Sequence, residues 1–178
     1  MKELFVINAQ YNHEADKVIL SILNKLSNDE REQDRGSYYK SLSGLTAHIL
    51  GGTVFLLGMF KDAVAHNDAA LKALAALKTV TVPEGKLSEA QWKQLVADIE
   101  TADTAYINFA KALTDADLMA PVKLPWYNGN PDSVPVFFLL TQVLTHGTHH
   151  RGQVSHILDA LKIDNDYSGV NVSFLGDK

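Results

Sequence analysis

An all-α four-helix bundle is the fold the sequence predicts, and three observations predict it. Apolar residues recur at alternating three- and four-residue spacing in four stretches. Glycine, proline and polar clusters separate those stretches, and neither a fixed-period repeat nor a linker divides the chain. Four amphipathic helices bury their apolar stripes most simply against one another. A single domain spanning residues 1–178 is therefore expected.

The first helix is expected from about Gln10 to Leu26, with Ala15, Ile19, Ile22, Leu23 and Leu26 on one face. A charged connection from Asn28 to Arg35, followed by Gly36, ends it. The second is expected to begin near Tyr39 and to carry Leu42, Leu45, His48, Ile49, Leu56, Met59 and Phe60. Its pattern runs on past His66 into the Ala/Leu-rich run from Ala69 to Leu77, and Thr79 to Gly85 breaks it with Pro83 and Gly85.

Ser88 and Gln91 form a capping-box start for the third helix, followed by Trp92, Leu95, Ile99, Ala102, Tyr106, Phe109 and Leu113. From Thr114 to Ser133 the helical pattern is lost in favour of a long loop with room for a short hairpin. That loop holds Pro121, Pro125, Trp126, Tyr127, Asn128, Gly129 and Pro131. The fourth helix is expected from near Ser133, with Pro135 in its first turn, to about Leu161. The tail from Asp164 to Lys178 is not helical in pattern, and Val170, Val172, Phe174 and Leu175 are available to pack on the body or on a second subunit.

Bulk properties narrow the function. With 178 residues, 46% hydrophobic and 21% charged, the chain has the composition of a globular protein that needs no staple to fold. It has no cysteine, which excludes disulfides, thiolate ligands and a cysteine nucleophile. A net charge of −5 without a Lys/Arg cluster argues against nucleic-acid binding. Neither a signal peptide nor a membrane span is legible, so a soluble cytoplasmic protein is expected.

Four of the seven histidines lie between His146 and His156. At about 100° per residue, His150 falls about 40° from His146, both beside the stripe of Leu139, Val143, Val154, Ile157 and Leu161, while His149 falls about 60° the other way, at its edge. Two inward imidazoles one turn apart can share a metal, although a bare pair is more often two hydrogen-bonded core histidines. His48 supplies a third, flanked by Leu45, Ile49, Leu56 and Met59 on an apolar face. Gly51 and Gly52 follow it, either to make room for a metal and substrate or to allow close helix packing. His13, His66, His149 and His156 are expected at the surface or behind the ligands. Arg151 is expected to point away from the stripe and to pair with an acid, and Gln153 lies where it can orient a ligand.

The run His146-Gly-Thr-His-His150-Arg151-Gly152-Gln153 resembles the C-terminal signature of the DinB (damage-inducible, YfiT-like) family, which is unrelated to the lesion-bypass polymerase sharing its name. Tyr11-Asn12 and the segment from Ser41 to Ile49 extend the resemblance over nearly the whole chain. It implies a four-helix bundle, commonly a homodimer, in which His48, His146 and His150 hold one divalent metal. Nitrogen ligation suits zinc, nickel or iron. The resemblance also implies a metal-dependent enzyme acting on a small-molecule substrate, a transferase using a low-molecular-weight thiol or a hydrolase; the loop residues Trp126 and Tyr127 are expected to line its pocket. The competing expectation is a non-catalytic metal or small-molecule binding protein of the stress response.

Overall fold

The computed structural model describes residues 1–125, 128–129 and 131–167. Among the described residues, seven α-helices and one short antiparallel pair of strands make an all-α architecture. The four long helices are α1 (Lys2–Leu23), α3 (Leu42–Gly58), α5 (Glu89–Ala112) and α7 (Val136–Ala160). α3 packs most extensively on α7 and α1 on α5, and the contacts α1–α7 and α3–α5 close the ring. Their apolar faces meet in one core, with Leu45, Leu57, Phe60, Tyr106, Phe109, Leu140 and Leu158 all buried. Among the described residues no helix is long and apolar enough to cross a membrane.

Three boundaries differ from expectation. α1 begins at Lys2 rather than near Gln10, because Phe5 and Ala9 continue the buried face towards the N-terminus. The charged connection holds a short helix, α2 (Asn28–Glu32), whose capping box joins Ser27 to Glu30. The second expected helix is two: after Gly58 the chain turns, and α4 (Asp68–Ala75) restarts on the Asn67 cap. A short 3₁₀ turn, Ala76–Thr79, follows α4.

Most of the remaining elements lie where the patterning placed them, except that a short helix forms inside the expected loop on a Thr114 cap. Ser88 and Gln91 form the capping box of α5. The long loop contains α6 (Asp115–Met119), capped by Thr114 and Asp117, and a hairpin of β1 (Pro121–Lys123) with β2 (Ser133–Pro135). Val122 faces Val134 in that ladder. Pro135 sits at the N-cap of α7, where its missing N–H costs nothing. The expected tail residues Val170, Val172, Phe174 and Leu175 lie outside the described residues.

Candidate metal centre

The α3–α7 pairing determines what meets in the bundle. His48 comes from the first half of α3, and His146 and His150 come from successive turns of α7. One ring nitrogen from each lies within 4.8 Å of the others. His48 Nε2 and His146 Nε2 are 3.1 Å apart. The His150 ring stands edge-on to His48, with centroids 4.4 Å apart.

Gly52 is what allows this approach. A β-carbon at position 52 would lie 2.1 Å from His146 Cε1, so the ring rests directly on the α3 backbone. Of the two readings of the Gly51-Gly52 pair, Gly52 therefore serves close packing of an imidazole. Gly51 instead lies beside Val82, at ordinary contact distance for an added methyl group.

Two neighbours fix ring orientation. His150 Nδ1 lies 2.7 Å from Gln153 Oε1, an acceptor only, so Nδ1 carries the proton and Nε2 is left with its lone pair. Tyr39 stacks on His48 with centroids 3.9 Å apart, and its hydroxyl lies 2.8 Å from His48 Nε2. Burial and the neighbouring Tyr38 hold the Tyr39 phenol above its usual range, so it is a proton donor at neutral pH. Gly44 positions it, since a β-carbon there would meet the Tyr39 carbonyl oxygen at 2.1 Å.

The electrostatics keep all three imidazoles neutral. Burial comes first in each case and pushes all three pKa values down; the charge of neighbouring histidines adds to it, and His146 falls to about 4. Neutral imidazole is the form that binds a metal. The surroundings also leave hydrogen-bonding capacity unused. His146 Nδ1 is buried with no partner, while Tyr39 Oη and His146 Nε2 both approach the single lone pair of a neutral His48 Nε2. The donor set fits a divalent ion that would accept the lone pairs together.

The chain matches the DinB family over residues 5–161. It belongs to the DinB family. No curated protein and no solved structure matches it.

In this DinB chain a buried charge network stands behind the histidines. Arg151, adjacent to His150 and expected away from the apolar stripe, is fully buried. The expected acidic partner is Asp16, whose Oδ1 accepts from Arg151 Nη1 at 2.9 Å. Asn12 accepts from the same Nη1 at 2.9 Å and donates through Nδ2 to Asp16 at 3.0 Å and Asp103 at 3.2 Å. His13 Nδ1 lies 3.2 Å from Asp103 Oδ2, and that hydrogen bond is the main reason its pKa is raised. Burial pushes the Asp16 and Asp103 carboxyls up, and Arg151 pulls both back down. The network joins α1, α5 and α7 and so fixes the helix that carries two of the three imidazoles.

The other histidines stand apart from the triad. His149 and His156 are exposed on α7, although the His149 ring lies 4.8 Å from that of His150. His66 is exposed and pairs with Asp117 at 2.8 Å. Trp126 and Tyr127, the expected pocket residues, lie outside the described residues. Sequence reasoning missed Tyr39, Asp16 and Asp103. Tyr39 carried a usable signal, an aromatic residue upstream of His48; the two aspartates look like ordinary helix-surface acids until the fold buries them.

Proposed function

We propose that this DinB chain is a metal-dependent enzyme that holds one divalent ion, zinc, nickel or iron, on His48, His146 and His150. The most concrete form of that reading is a low-molecular-weight-thiol transferase. The observation that carries it is the convergence of three neutral imidazoles, one ring nitrogen of each within 4.8 Å of the others. Three nitrogen ligands leave a coordination position open, the pattern of catalytic rather than structural sites. When bound, such an ion supplies Lewis acidity, which lowers the pKa of a thiol or water at the open position. The protein, having no cysteine, has no thiol of its own to offer.

The chain's own groups complete the arrangement. Gln153 holds His150 in the tautomer that presents Nε2. The Tyr39 hydroxyl can give or take a proton at Oη beside the triad. A cleft of about 610 Å³ runs from His48 across Tyr38, Tyr39 and Gly51 to Val82 and Lys86, large enough for a small-molecule substrate.

Metal analysis of purified protein tests the reading. One divalent ion per chain is expected. His146→Ala and His150→Ala should each lose nearly all of it, and His149→Ala should keep it. Equal loss in all three, or a wild type that takes up no metal, would sink the assignment. A screen of thiols with electrophilic substrates then tests the transferase.

One observation favours the second reading, a non-catalytic metal or small-molecule binding protein of the stress response. The Tyr39 hydroxyl stands within reach of the triad and is a candidate fourth protein donor that would close the site. A cobalt-substituted sample separates the two readings: spectral change on adding a thiol means an open site, and an unresponsive spectrum means a closed one.

A further inference from the structure

The cleft beside His48 is lined by an acidic residue whose carboxylate has no neutralising partner among the described residues. Glu32, at the end of α2, contributes to the cleft wall and is 8% exposed. Among the described residues, both of its carboxylate oxygens are buried without a hydrogen-bond or ion-pair partner. Its neighbour Arg31 is committed elsewhere, to the Leu23 and Leu26 carbonyls, to Glu89 and to the face of Trp92. The same stretch has other buried polar atoms without partners, Arg35 Nε, Ser37 Oγ and Ser43 Oγ. An unpaired buried carboxylate costs several kcal/mol relative to a paired one, so it marks a place for a partner from outside the chain.

We propose that this cleft binds a ligand bearing a cationic nitrogen, an ammonium or guanidinium group that pairs with Glu32 while the rest of the molecule lies against Tyr39 and His48. That this ligand is the substrate rests on the reading of the triad as a metal centre; the cation selectivity itself does not. The other charges of the cleft do not decide the sign. Asp34, Lys40, Glu84 and Lys86 are exposed, of both signs and screened by solvent, whereas Glu32 acts across a drier medium. The cleft is also lined by aromatic rings, Tyr38 and Tyr39, with centroids 5.0 Å apart and edge-on. An apolar or aromatic body attached to the cation suits those rings.

Three probes of one shape and different charge test the proposal: phenethylamine, phenethyl alcohol and phenylacetate, titrated by nuclear magnetic resonance into metal-loaded and chelated protein. The amine should bind about tenfold or more tighter than the alcohol, the worth of one hydrogen-bonded charge. Phenylacetate should bind weakest. The perturbed amides should cluster between residues 32 and 51 and between 82 and 86. Glu32→Gln, which keeps the shape, should erase the preference for the amine and leave binding of the alcohol unchanged. A Glu32 that takes no part in binding would leave the variant like wild type, and that overturns the proposal. Wild-type protein with no preference for the amine, or with shifts mapping elsewhere, also overturns it, and neither result depends on the variant folding. Failure of the metal reading has a different signature: no metal uptake, with the amine preference intact in the chelated protein.

Discussion

At the scale of single residues, the candidate site depends on groups that are small or point at another side chain. Gly52→Ala should displace the His146 ring, because a β-carbon 2.1 Å from Cε1 has no room and the ring sits against backbone on that side. The expected result is a metal affinity lowered at least as much as by loss of an orienting partner, with little change in helicity; competition with a chelator and circular dichroism would measure the two. Gln153→Leu removes that orienting partner alone. It should reduce affinity by about 10–100-fold and leave one ion per chain bound at saturation. Affinity unchanged in Q153L would mean that the Gln153 contact does not select the His150 tautomer. His48, His146, His150 and Gln153 were all legible in the sequence, because helical spacing places them on inward faces. Tyr39 offered only its aromatic character upstream of His48, since its position depends on a turn whose close contact with Gly44 no periodicity reports.

At the scale of elements, the four long helices were legible because each carries an apolar stripe, and two carry Ser-initiated caps. The breaks were less so. Gly58 and the Asn67 cap interrupt a composition that is helix-forming on both sides, and only packing decides where the chain turns. The charge network was invisible, since Asn12 and Asp103 stand 91 residues apart and Asn12 and Arg151 stand 139 apart. Its chemistry predicts two outcomes. Arg151→Leu should destabilise the fold by about 3–5 kcal/mol in urea unfolding, the cost of leaving buried carboxylates without their cation, and adding Asp16→Asn should recover part of that loss. The second outcome concerns pH. With Asp16, Asp103 and Arg151 charged, the cluster is neutral only when His13 is protonated. The folded pKa of His13 is raised, so its contribution is fully present below the unfolded value of about 6.5 and is lost as pH rises through the folded value. Raised carboxyls at Asp16 and Asp103 act in the same direction. Stability should therefore decline as pH rises from the acid range to about 7 through the Asp16 carboxyl and further above about 6.5 through His13, and His13→Ala should flatten the upper part of the curve; a variant with the wild-type slope there would remove His13 from the account.

At the scale of the whole molecule, the question is what the metal would do for the fold. The core is apolar and continuous across the four long helices. Chelation should leave helicity intact, unlike in small domains whose core is built around zinc. Binding to the native state alone should nonetheless stabilise it, by about 2.7 kcal/mol when free metal is a hundredfold above Kd. For a chain of this length that corresponds to a rise in Tm of roughly 5–10 °C. Oligomer formation would add a concentration dependence, so the melts belong at fixed protein concentration, with sedimentation run in parallel. We expect a homodimer of about twice 19.6 kDa, since exposed Leu4 on α1 and Phe138 on α7 are apolar surface that a partner copy would cover. Melts of metal-loaded protein with and without chelator at pH 7.5 then decide the matter. A higher Tm for the loaded form, with identical helicity before melting, fits an ion added to a finished bundle. Equal Tm values in protein shown to start loaded would mean that the ion does not favour the native state, and would count against the three histidines as its ligands.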